Sequence, residues 1–128
     1  MFYEELYTVL GKLFYHVASR DGSVKQPERK SLSQLIQKSW KPLENSVDAY
    51  GTDEANLIDF SFDFEESEIE PENGFEVFLE FYKQNKSKFS PEIIRKILQT
   101  AGAIASAYRG QNKSEKKILK RLHDLLEK

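Results

Sequence analysis

The chain has 128 residues, with 19 Lys and Arg against 21 Asp and Glu and a formal net charge of −2. That length suits one domain around one core, and the absence of cysteine excludes disulfides, thiolate zinc sites and cysteine nucleophiles. The opening Met1-Phe2-Tyr3-Glu4-Glu5 lacks the basic start and apolar run of a secretory signal. No stretch approaches the roughly 18 consecutive apolar residues that span a bilayer, so cytoplasmic residence without a transmembrane segment is the expectation.

Taken in chain order, the first element is an amphipathic helix. Phe2, Leu6, Val9, Leu10, Leu13 and Val17 recur at three- and four-residue spacing and form one stripe. Asp21-Gly22 ends it. Pro27-Glu28 suits the first turn of a second helix, where a missing N–H costs nothing and an acid favours the dipole, and Leu32, Leu35, Ile36 and Trp40 supply its buried face. After Pro42, residues 43–50 read as a short helix. Gly51-Thr52-Asp53-Glu54 then reads as a stop followed by a Thr cap. Ile58-Asp59-Phe60-Ser61-Phe62-Asp63-Phe64 alternates apolar and polar, as a strand does, yet no second strand is available to pair with it. Helix or irregular structure is the expectation there.

Phe75, Phe78, Leu79 and Tyr82 mark a further helix from about Glu72 to Asn85. Ser90-Pro91-Glu92 is a strong start signal for the next, which runs through Ile94, Ile97, Leu98, Ala101, Ile104, Ala105 and Tyr108. Its small residues Ala101, Gly102, Ala105 and Ser106 leave room for a close helix neighbour. Gly110 ends it, and Asn112 with Glu115 resembles a capping box before Ile118, Leu119, Leu122, Leu125 and Leu126. The whole reads as an all-α, single-domain bundle of about six to seven helices. Two pseudo-repeated αα-hairpins, one at each end of the chain, are expected to bury their stripes against each other, and the carboxylate-rich middle is expected to stay outside.

Charge is segregated. Residues 48–72 hold ten acids and no Lys or Arg, whereas residues 83–128 hold twelve Lys and Arg against four acids. Such asymmetry marks either a partner surface or two attracting regions of one domain, and the second is favoured.

The residues Leu10-Gly11-Lys12-Leu13-Phe14-Tyr15-His16-Val17-Ala18-Ser19-Arg20-Asp21-Gly22-Ser23-Val24, followed by Glu28, resemble the TerB-like tellurite-resistance family. The shared pattern is a helix ending in a small residue, then Asp-Gly, one residue, an aliphatic, and a Glu opening the next helix. Tyr108-Arg109-Gly110 with Glu115 looks like a degenerate second copy. Similar domains resemble the N-terminal part of membrane-anchored DnaJ-like co-chaperones. The resemblance implies an all-helical fold, a role in stress or metal-oxyanion response, and divalent-cation binding through surface acids.

Several residues invite a chemical reading. Asp21-Gly22-x-Val24-x-x-x-Glu28 mimics the second half of a calcium loop. Its first ligand position falls on Val17, which offers no oxygen, so a helical corner capped by Glu28 is favoured. If a metal binds, Asp21, Glu28, Asp59 and Asp63 are the expected ligands, holding Ca²⁺ or Mg²⁺ weakly; no other cofactor is implied. His16 and His123 have no second His or Cys at ligand spacing. No nucleophile elbow, triad signature or phosphate-binding glycine pattern occurs, so no catalytic residue is assigned and the chain reads as no enzyme. Lys113, Lys116, Lys117, Lys120 and Arg121 share one helix face, which reads as solvated surface and not as a nucleic-acid site. The expected interaction surface is Phe60, Phe62, Phe64, Glu65, Glu66 and Glu68, presented to a protein partner or to a second copy of the chain.

Overall fold

Phe2–Ala18, seventeen residues without proline, form helix α1. Acids Glu4 and Glu5 in its first turn favour the positive end of its dipole. α1 is buried on more than the expected stripe. Leu6, Tyr7, Leu10, Leu13, Phe14 and Val17 are all in the core, and so are Gly11 and Ala18. The reason is position, because four other helices lie against α1.

The computed structural model describes residues 2–20, 23–41, 55–107 and 113–127. The expected helix at residues 43–50, the stop and cap at 51–54, the Asp21-Gly22 turn, and Tyr108 to the Asn112 cap lie outside the described residues. α2 spans Gln26–Leu35 with Pro27 in its first turn. The Glu28 carboxylate reaches back to accept the Lys25 N–H at 2.7 Å, which satisfies one of the donors every helix start leaves unpaired. The helix then widens into a π-turn over Ile36–Trp40, closed by the Lys41 N–H on the Ile36 carbonyl. That turn carries Trp40 into the core, where its Nε1–H donates to Thr100 Oγ1 at 2.9 Å.

α3 spans Asn56–Ser67 and α4 spans Gly74–Asn85; a single 3₁₀ turn, Lys86–Lys88, follows α4. α5 spans Pro91–Ser106 and α6 spans Lys113–Leu126. Asn73 Oδ1 caps α4 by accepting from Glu76 N, and Ser90 Oγ caps α5 by accepting from Ile93 N. Among the described residues the fold is all helix.

α3 decides the question its alternating sequence posed. Ala55, Ile58, Ser61, Phe62 and Glu65 turn inward at helical spacing, and α3 becomes the principal neighbour of α1. The expectation that the acidic middle stays outside is therefore corrected. Half of it forms a core helix, because one helical face of Ile58-Asp59-Phe60-Ser61-Phe62 is apolar enough to bury. Among the described residues, the exposed run from Glu66 onward to Asn73 matches the expectation, as do Phe60, Asp63 and Phe64 on the outer side of the helix.

Of the two expected hairpins, α5 and α6 do pack on each other. α1 and α2 touch each other less than they touch other helices. α2 leans on α5, to which Trp40 binds it, while α1 takes α3 and α4 as its main neighbours. The small residues of α5 are used unevenly: Ala101 and Ala105 are buried, but a Cβ on Gly102 would meet nothing within 4 Å. Phe78, Phe81, Tyr82 and Phe89 cluster with Phe2 at the start of α1, Tyr82 and Phe89 meeting edge-on at 4.8 Å. Most of the aromatics thus serve the core.

Candidate functional site

α3 has two unlike faces because about 100° separates successive residues on a helix. Ile58, Phe62 and Glu65 point at α1, which leaves Phe60 and Phe64, one turn apart, on the opposite side. They are 69% and 59% exposed. Glu66, Glu68 and Glu70 continue the exposed acidic surface, with Ile69 fully in solvent among them. Of the six residues expected at an interaction surface, Phe60, Phe64, Glu66 and Glu68 face outward. Phe62 and Glu65 do not, and this is a correction. Phe62 is wholly buried under the Arg29 guanidinium, whose carbon stands 5.3 Å from the ring centre, and it meets Tyr15 edge-on.

Glu65 is 2% exposed and holds two elements together. Its Oε1 takes the Lys12 ammonium at 2.5 Å, and its Oε2 accepts the Glu72 N–H at 3.2 Å. Lys12 also binds Glu72 Oε1 at 2.7 Å. Burial pushes the Lys12 ammonium toward neutrality, but its bonds to Glu65 and Glu72 outweigh that and hold its pKa above the ordinary value.

The expected metal ligands Asp59 and Asp63 are brought together, around an arginine. Arg29 Nη2 lies 2.7 Å from Asp59 Oδ1, and Arg29 Nε and Nη2 reach the two oxygens of Asp63 at 3.1 and 3.2 Å. Arg29 Nη1 donates to Ser33 Oγ at 2.6 Å. Asp59 Oδ1 is buried, and its contact with Arg29 is an ion pair without a well-aligned hydrogen bond. Burial works against the charge on Arg29, and the two aspartates more than offset it, raising its pKa. Glu28 caps α2, as the helical-corner reading has it, and Asp21 lies outside the described residues. No group of three or more His, Cys, Asp or Glu among the described residues stands close enough to hold a metal ion.

The acidic middle and the basic C-terminal run were expected to attract each other. The described acids of α3 and the loop after it instead take their cations from α1 and α2. From α6, Arg121 alone among the described residues reaches toward this region, 3.7 Å from Glu76 and stacked 4.2 Å from the Phe75 ring centre. Lys113, Lys116, Lys117 and Lys120 are exposed, as a solvated face should be. Lys12 and Arg29 were missed as functional partners because their acids lie far along the chain, 53 and 34 residues away for Glu65 and Asp63.

His16 is 7% exposed at the end of α1, and His123 is on the surface of α6, paired with Glu127. Desolvation, reinforced by the nearby charges of Arg20 and Arg121, lowers the His16 pKa to about 4, so its imidazole is neutral at pH 7. No described helix is long and apolar enough to cross a membrane.

Compared with known proteins, the chain matches the family model described as tellurite resistance protein TerB over residues 8–127, nearly its whole length. No curated protein and no solved structure matches it.

Proposed function

We propose that this chain, which belongs to the TerB family, is a non-enzymatic helical module that docks a protein partner on the outer face of α3. TerB is generally not a catalytic family, and no nucleophile, base and oxyanion donors converge among the described residues. The observation that carries the reading is the exposure of Phe60 and Phe64, one turn apart on a helix whose other side is core. Two exposed phenylalanines one turn apart on a helix cost solubility and are the kind of anchor that interfaces bury. Glu66, Glu68 and Glu70 border them, so the partner segment that suits this face is basic with an apolar stripe. A role as a stress-response accessory accords with such a module.

A photo-reactive phenylalanine placed at position 60 tests this directly. Crosslinking in a lysate of the native cell should give one dominant adduct, mapped to a Lys- or Arg-rich segment, and Phe64→Ser should abolish it. Adducts spread evenly over abundant proteins, or an adduct indifferent to Phe64→Ser, would remove the docking face.

A further inference from the structure

A small polar cleft of about 230 Å³ separates the end of α1 from the start of α4. Tyr15, His16, Ser19 and Arg20 line it from one side and Glu72 and Asn73 from the other. The His16 ring is more than nine-tenths buried, borders this cleft, and takes no hydrogen bond from any described residue. Its ring nitrogens are not sealed off without a hydrogen-bond partner, as Asp59 Oδ1 is, so the polar edge of an otherwise buried side chain opens on the cleft. We propose that the cleft is a binding site for a small tetrahedral oxyanion of the phosphate class.

The donors surrounding the cleft favour an anion. Arg20 is exposed and has no carboxylate partner among the described residues. The Asn73 amide N–H₂ group is free to donate because its oxygen is occupied capping α4. The Tyr15 hydroxyl adds a further donor. The positive end of α4 lies against the site, since a Cβ on Gly74 would stand 3.0 Å from the His16 Cβ. Arg121 of α6 adds long-range positive charge at His16.

Two features oppose an anion, and both are offset in part. The Glu72 carboxylate shares the Lys12 ammonium, 2.7 Å away, with Glu65, which reduces but does not cancel its charge at the cleft. The last carbonyls of α1, which carry the negative end of its dipole, already accept hydrogen bonds: Tyr15 O from Ser19 N, His16 O from Ser19 Oγ, and Val17 O from Arg20 N. The donors approach from α1 and from the start of α4, on different sides of the cleft. That spread suits a tetrahedral ion better than a flat carboxylate, which one arginine fork satisfies alone.

The test uses the full chain and inorganic phosphate. Long-range ¹H–¹⁵N spectra of the two imidazoles are followed near pH 6 as phosphate replaces chloride at constant ionic strength. The His16 signals should move saturably and its protonation should shift to higher pH, because a bound anion favours the imidazolium. His123, on the surface of α6, should not follow. Arg20→Gln, at an exposed position that leaves folding intact, should abolish the saturable response. A His16 ring that ignores phosphate, or a response that survives Arg20→Gln, would overturn the site. Acetate matching phosphate would overturn its tetrahedral class.

Discussion

A Cβ built on Gly11 of α1 would lie 2.4 Å from the Cβ of Ser61 on α3, so these helices cross at a separation that only glycine allows. The Ser61 hydroxyl donates to the Thr8 carbonyl at the same crossing, 2.6 Å away. The scaffold that presents Phe60 and Phe64 thus rests on a close backbone approach.

Gly11→Ala should push α3 away from α1. Overpacking of this kind costs about 1–3 kcal/mol, more than the gain of about 1 kcal/mol that alanine brings to a helix interior. The same change at Gly102, where the added methyl meets nothing within 4 Å, should stabilise by about 0.5–1 kcal/mol. Urea midpoints should therefore move in opposite directions for the two variants. Midpoints moving together would contradict the crossing geometry.

Lys12 and Glu65 give a second expectation. Lys12→Met leaves the Glu65 carboxylate, 2% exposed, without its cation. Breaking a buried pair from one side costs up to about 3–5 kcal/mol, and the remaining Glu72 N–H bond to Glu65 should reduce that to about 2–4 kcal/mol. Glu65→Gln in the same chain should recover much of the loss, because an amide still accepts that N–H and needs no counter-charge. The pH dependence has a definite sign. The Lys12 pKa is raised in the folded state, so its contribution is complete below the unfolded value of about 10.5 and is lost as pH climbs through the folded value. On the alkaline side, the gap between wild type and Lys12→Met, measured by urea unfolding, should narrow only above pH 10.5.

His16 sets an acid limb. Its folded pKa is about 4, against an ordinary value of 6.5, so between these limits the unfolded chain binds a proton that the folded chain refuses. Acidification through that window therefore favours unfolding. Wild type should lose stability relative to His16→Gln as pH falls from 6.5 to 4, and the two should run in parallel above 7. Parallel melting curves across the whole range would show that the ring is solvated after all.

How far the chain reveals itself differs by element. Five of the six described α-helices were legible because stripes such as Leu6, Leu10, Leu13, Val17 and caps such as Ser90 act locally, whereas over α3 the alternation suits helix or irregular structure alike. The inward turn of α3 was not legible, because Phe60, Phe62 and Phe64 are the same residue type at alternating positions. Only contact with α1 decides which of them is buried. Glu65 and Asp59 read as surface acids because their cations, Lys12 and Arg29, are brought to them by tertiary packing alone. Gly11 and Gly74 gave no turn signal; their role is to let backbones touch, which no single-chain periodicity records.

Trp40 and Thr100 offer the last prediction, and the sole tryptophan reports on it. Both side chains are fully buried, and the indole N–H has Thr100 Oγ1 as its acceptor at 2.9 Å. Thr100→Val keeps the shape and removes that acceptor, stranding a buried donor at a cost of about 1–3 kcal/mol. Thr100→Ser keeps the hydroxyl and loses one methyl, a loss of about 0.5–1.5 kcal/mol. The valine variant should also shift tryptophan emission to shorter wavelength, since an unbonded indole in an apolar site emits to the blue, whereas the serine variant should leave the spectrum in place. A valine variant as stable as wild type with an unmoved spectrum would mean that α2 is not tied to α5 through this bond. The π-turn over Ile36–Trp40 would then need another cause, because carrying the indole to Thr100 is what its extra residue achieves.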